Sequence, residues 1–170
     1  MPLINRTVLS VPVIVQSRTG VTPAAAFEVI VPIDLSLTFR GWGPFPAVLG
    51  AKNQTGPWDH VGASRNPDLS DGSTATETLT EYVQDASFAY EVTGFTNILG
   101  RMVDGVRGEW TFTPDGDGCL IRWCYEFKPK RGRHQLVQHG LAPLWRRYMT
   151  AGLHNSIAVA EEHSTRTAQQ

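Results

Sequence analysis

Residues 57–128 read as an almost unbroken succession of extended segments, and a single amphipathic helical pattern follows them over residues 141–162. This order of parts is the strongest constraint on the fold. A long antiparallel sheet with one apolar face must bury that face against something, and here only one long helix is available to cover it. The expected solution is an α+β cup: a curved antiparallel sheet wrapped around the C-terminal helix, with room left inside.

The extended segments span residues 58–66, 73–84, 87–96, 103–113 and 119–128. Turns at Asp71-Gly72 and at Asp115-Gly116-Asp117-Gly118 punctuate them, because glycine takes positive φ without steric cost. The valine-rich residues 7–17 predict a further strand at the start, and Pro12 marks it as an edge strand or a bulge. Thr22-Pro23 opens a short helix over 24–31: the hydroxyl caps free amides, the proline takes the first helical position, and Pro32 ends the helix. A second short helical piece covers 34–40, capped by Asp34 or Ser36. Residues 41–55 read as an irregular loop packed over an opening, since Gly41, Gly43, Pro44, Pro46 and Gly50 break any period.

In the last element Leu141, Leu144, Trp145, Tyr148, Met149, Gly152, Leu153, Ser156, Ile157 and Ala160 recur at helical spacing. Pro143 fits either the first turn of this helix or a kink in one that starts near His134. Residues 164–170 read as a frayed tail. The length of 170 residues suits one domain with a core over about 7–162.

With a net charge of −1 and a pI near 6.5, the chain has no global basic field, so no nucleic-acid partner is expected. Cys119 and Cys124 fall on opposite faces of one strand, which disfavours a disulfide and points to a reducing, cytoplasmic setting. Ser10 and Pro12 interrupt the apolar run near the N-terminus, against a secretory leader, and no apolar run reaches the roughly 18 residues of a membrane span. The histidines show no metal-ligand spacing, and no cofactor fingerprint appears. A monomer or homodimer is expected.

Strand parity assigns the residues that share a face: Ile121, Trp123, Tyr125 and Phe127; Phe88, Tyr90 and Val92; Val106, Trp110 and Phe112. They form either a filled core or the lining of a cavity. Arg65 and Glu77 flank the Asp71-Gly72 turn and can pair across a hairpin, as a structural ion pair or as the holder of a ligand carboxylate or phenolate. Tyr90 and Tyr125 are candidates for proton donation or oxyanion stabilisation, but Arg122, the nearest arginine in sequence, has the opposite parity. Trp58-Asp59-His60 falls on the strand read over 58–66, so Asp59 and His60 face opposite ways and no catalytic dyad is expected there. Lys128, Lys130, Arg131, Arg133 and His134 form the one basic run, either a solvated connection or a contact to phosphate.

The chain resembles the START and birch-pollen-allergen-like superfamily, SRPBCC, in its polyketide cyclase/dehydrase and lipid transport branch. The resemblance lies in TPAAAFEVI, WGPFPAV, TGPWDHVGASRNPDLSDG, Glu77, the Phe88-Ala89-Tyr90 strand, WTFT at 110–113 and GCLIRW at 118–123; Cys119, where a small residue is usual, is a minor departure. It implies the helix-grip fold and a cavity for a small hydrophobic or aromatic molecule. The ligand-binding candidates are Phe88, Tyr90, Trp110, Phe112, Trp123, Tyr125, Trp145 and Met149, with Arg65 and Glu77, and with Trp42 and Phe45 at the rim. Carriage or sensing of a lipid- or polyketide-like molecule is the first reading, an aromatase/cyclase or dehydrase the second, and a regulatory protein-interaction module the third. No catalytic residue, metal or cofactor is assigned.

Overall fold

The computed structural model describes residues 3–4 and 9–169. Seven antiparallel strands form one sheet in the order β1-β7-β6-β5-β4-β3-β2. They are β1 (Val11–Thr19), β2 (Val48–Lys52), β3 (Ser64–Leu69), β4 (Thr76–Val83), β5 (Ser87–Thr93), β6 (Val103–Asp115) and β7 (Gly118–Pro129). Short helices α1 (Pro23–Ile30) and α2 (Leu35–Thr38) follow β1, and α3 (Leu99–Met102) precedes β6. The C-terminal helix runs from α4 (His134–Leu136) through a π-helical turn (Val137–Leu141) into α5 (Ala142–Thr167). This is the expected helix-grip α+β fold.

Local chemistry sets the helix starts. The Thr22 hydroxyl accepts from the Ala25 amide at 3.4 Å with Pro23 in the first turn, and α1 buries Ala26, Phe27 and Ile30. Asp34 caps α2 through the Ser36 amide at 2.9 Å. Thr38 then meets Ser156 of α5 at 3.1 Å, and Asn155 donates to the Thr38 carbonyl at 3.0 Å, so α2 is pinned to the long helix. Pro143 stands in a helix that begins at His134. Its ring cannot donate and crowds the preceding turn, and the wider π turn just before it accommodates that defect.

Register lines up the concave face in rows. One row runs Arg65–Glu77–Val92–Val106–Phe127–Val11, the next Leu79–Tyr90–Gly108–Tyr125–Val13, and a third Phe88–Trp110–Trp123–Val15. Alternate β7 residues, Arg122 and Cys124 among them, lie on the convex face, and both cysteines are free. The third row is tightly packed: Trp110 and Trp123 stack at 4.5 Å, and Phe27 of α1 meets Phe88 and Phe112 edge-on. Gly108 is required in the second row, since a Cβ there would stand 2.2 Å from Tyr90 Cζ.

Several boundaries differ from the sequence reading. The first strand starts at Val11 rather than residue 7, with Thr7 and Val8 outside the described residues; Pro12 sits on an edge strand, as expected. Residues 58–62 form turns, and the strand expected there begins only at Ser64, because Gly62 at φ 94° breaks the extended path. The loop expected over 41–55 contains β2, an edge strand whose register shift between Val48 and Gly50 hid its period. The short α3 carried no recognised signal. The tail expected to fray is helical to Thr167, where Arg166 pairs with Glu162 one turn back.

Two substitutions test this packing in chemical denaturation. Trp123→Ala should cost about 3–5 kcal/mol, the range for removing a large aromatic from a packed core. Gly108→Ala should cost about 1–3 kcal/mol by driving Tyr90 off its place.

Candidate functional site

A cavity of about 330 Å³ opens between the first turns of the C-terminal helix, the 44–48 segment, the end of β5 and α3. Leu35, Phe39, Val92, Leu99, Met102 and Leu141 make much of its wall. Loop 41–47 closes one side because Phe45 packs against Trp145 at 4.8 Å and Tyr148 at 5.2 Å, while the Tyr148 hydroxyl donates to the Pro46 carbonyl at 2.7 Å. A much smaller void of about 30 Å³ lies deeper, against Phe88, Trp110 and Trp123.

The sequence candidates divide by position. Tyr90, Tyr125, Trp145, Phe45 and Glu77 line the larger cavity. Arg65, Phe88, Trp110 and Trp123 border only the small void, which Tyr90 and Glu77 also touch. Phe112 and Met149 border neither and pack in the core. Trp42 faces an outer groove rather than the cavity, with the Arg147 guanidinium 5.9 Å from its ring centre. Residues not singled out beforehand also reach the wall: Asp71 and Asn97 from turns, and Leu136 and Gly140 from the start of the helix. Strand parity could not find these, because none lies on a strand.

Polar groups on the wall are few, and most are engaged. Arg65 and Glu77 sit opposite each other on β3 and β4, Nε to Oε2 2.5 Å, both at least nine-tenths buried. The guanidinium stacks 4.0 Å from the Trp58 ring centre. The pair is thus internally matched: the carboxylate reaches the cavity wall and the arginine stands behind it. Asp71 accepts from the Ser73 amide and hydroxyl, and Asn97 donates to Ser73 Oγ while accepting from the Leu99 amide. The Tyr90 hydroxyl accepts from Trp123 Nε1 at 3.2 Å. The Trp145 indole N–H is buried without a hydrogen-bond partner among the described residues, and the Tyr125 phenol at the cavity wall is recorded in no hydrogen bond to them.

Asp59 and His60 do meet, Nδ1 to Oδ1 2.7 Å, contrary to the expectation from strand parity, because they lie in a turn. Both are well exposed and neither lines the cavity. Among the described residues no group of three potential metal ligands gathers, and no helix is long and apolar enough to cross a membrane.

Burial pushes the Tyr90, Tyr125 and Tyr148 phenols well above their ordinary value of 10, and the nearby Glu77 charge adds to the effect at Tyr90 and Tyr125. They are neutral donors at neutral pH. A group whose folded pKa is raised contributes stability below its unfolded pKa and loses it as pH rises towards the folded value. Tyrosinate absorbance should therefore lag behind free tyrosine above pH 10 and rise together with loss of the far-ultraviolet circular dichroism signal.

None of the curated proteins matches this sequence. Solved structures do resemble it: norcoclaurine synthase from Thalictrum flavum, as a point mutant with a transition-state analogue, at 14% identity and TM-score 0.69, covering 94% of this chain and 99% of that one. The major latex-like protein 151 of Panax ginseng gives 14% identity and TM-score 0.66 over 88% of this chain and 97% of its own. The di-domain ARO/CYC StfQ of the steffimycin biosynthetic pathway gives 16% and 0.69, over 92% of this chain and 52% of that longer one. Identities this low establish the shared fold alone. Residues 14–161 match the family described as polyketide cyclase / dehydrase and lipid transport, and with this fold the chain belongs to that family, within the SRPBCC superfamily.

Proposed function

We propose that the protein binds a small, uncharged, largely apolar molecule with one oxygen substituent, and acts as a carrier or sensor for it. The observation that carries this reading is the wall itself: an apolar enclosure of about 330 Å³ in which the buried Trp145 indole N–H and the Tyr125 hydroxyl have no hydrogen bond to the described residues. The volume is near the lower end of the roughly 300–1,000 Å³ of small-molecule sites. A ligand hydroxyl or carbonyl gives Tyr125 the hydrogen bond it lacks. A ligand carboxylate is disfavoured, because the charge it meets is Glu77, with Arg65 already committed behind it.

A second reading, an aromatase/cyclase- or dehydrase-type enzyme, draws on one specific feature, the buried Glu77 carboxylate at the wall beside Tyr90 and Tyr125. Carriage is preferred because that carboxylate is matched by Arg65 and the Tyr90 and Tyr125 phenols are held neutral. The interaction-module reading needed an exposed apolar patch around Trp42 and Phe45. Phe45 instead packs on Trp145 and Tyr148, and Trp42 is half-buried.

The neutral probe N-phenyl-1-naphthylamine should bind with enhanced fluorescence, and Val92→Phe, which adds bulk to the wall, should weaken it about tenfold in a folded protein. Unchanged binding removes the cavity assignment. Tyr125→Phe should weaken 2-naphthol about five- to tenfold and leave naphthalene unaffected, the worth of one hydrogen bond. Glu77→Gln should leave probe binding largely intact; its abolishing turnover of a cyclisable polyketide-like substrate while binding persists would select the enzyme.

A further inference from the structure

Buried polarity is gathered in one place in this protein. Five serine, threonine or charged residues are buried among the described residues, and four of them, Thr38, Arg65, Glu77 and Ser156, border the deeper void of about 30 Å³. Tyr90, also buried, borders it as well. An apolar void of this size would stay dry, so what matters is how much hydrogen-bonding capacity these groups have left.

The Arg65 Nε donates to Glu77 Oε2 at 2.5 Å, and the Trp58 ring covers the guanidinium face at 4.0 Å. Both Arg65 Nη nitrogens and Glu77 Oε1 make no hydrogen bond to the described residues. The unpartnered side-chain atoms that are also closed off from water-sized contact are Trp58 Nε1, Thr80 Oγ1 and Trp145 Nε1. The free Arg65 and Glu77 atoms are not among these, so space that a water can enter reaches them. Trp123 donates to the Tyr90 hydroxyl at 3.2 Å, while the Tyr90 proton meets no acceptor among the described residues. Ser156 Oγ donates to the Gly152 carbonyl at 2.9 Å, so its bond with Thr38 at 3.1 Å uses the Thr38 proton and leaves Thr38 Oγ1 able to accept.

The void is therefore bordered by two kinds of donor, Arg65 Nη–H and Tyr90 O–H, and by two acceptors, Glu77 Oε1 and Thr38 Oγ1. One water molecule accepts twice and donates twice, and needs about 10–15 Å³ of such space. Arg65 and Glu77 balance each other in charge, which favours a neutral occupant over an ion.

We propose that this void is the binding site of a tightly held water molecule, which accepts from Arg65 and Tyr90 and donates to Glu77 and Thr38. The water completes the hydrogen bonding of the buried ion pair and ties β3, β4 and β5 to α2. It also turns the Tyr90 proton and the free Glu77 oxygen away from the larger cavity, whose wall both residues share. The site stands whether or not that cavity takes a ligand.

A high-resolution crystal structure of the full chain tests the site directly. The expected result is one density peak about 2.7–3.2 Å from Arg65 Nη, Tyr90 Oη, Glu77 Oε1 and Thr38 Oγ1. An empty void overturns the proposal. So does an anomalous peak there after crystals are soaked in bromide, which assigns the site to a halide. In solution, Val31→Ile adds a methyl group at the wall of the void. Displacing the water strands Arg65 and Tyr90, and Tm should fall by about 2–6 °C. In the background Arg65→Met with Glu77→Leu the water has lost two partners, and Val31→Ile should leave Tm unaltered or raise it. A rise in the native background marks a dry void that gains from being filled, and overturns the proposal. An equal fall in both backgrounds marks crowding alone and overturns the claim that the water satisfies the ion pair.

Discussion

A single long helix cannot cover the concave face of a seven-stranded sheet, and most features of this protein follow from how that mismatch is resolved. Towards one end, α1 and α2 add their side chains to those of α5. The row Phe88–Trp110–Trp123 there is stacked, edged by Phe27 and closed by Phe39. Towards the other end the only further helix among the described residues is the four-residue α3. Loop 41–47, α3 and the first turns of the C-terminal helix form walls without filling the space between them, and the cavity is what remains.

The second row sets the boundary between these regions. Gly108 lies between Tyr90 and Tyr125, and its missing side chain leaves the place that the Tyr90 ring occupies. The Tyr90 hydroxyl accepts from Trp123, whereas that of Tyr125, whose ring stacks on Trp145 at 5.3 Å, has no hydrogen bond to the described residues at the cavity wall. Two tyrosines of the same parity thus have different chemistry. Beside them the Arg65–Glu77 pair places a buried charge in an apolar wall. Such a pair is costly to desolvate, and its members are retained together because either one alone would be an uncompensated buried ion.

Much of the architecture was legible in the sequence because it depends on local rules. The Asp71-Gly72 and Asp115–Gly118 turns, the Thr22 and Asp34 caps and the alternation along β7 are where those rules place them. The pairing of Arg65 with Glu77 was legible too, since a hairpin of known turn position aligns its strands. The misses have equally specific causes. β2 is held by its neighbour β3 despite Gly50 and a register shift within it, and the 58–62 segment turns at Gly62 although its composition looks extended. A dyad rejected on strand parity, Asp59–His60, exists because that segment is a turn, and its exposure keeps it away from the cavity.

The sequence by itself determined which residues face inward, since a strand's period of two assigns each side chain to a face regardless of what lies opposite. Only the tertiary structure decided which inward residues meet a void. Phe112, Trp123 and Tyr125 have indistinguishable patterns along their strands, yet the first two are sealed from the larger cavity and the third lines it. The difference is depth along the sheet relative to where the helices cross it. That crossing is fixed by contacts far apart in sequence, such as Thr38 with Ser156 and Tyr148 with Pro46, which no local period encodes.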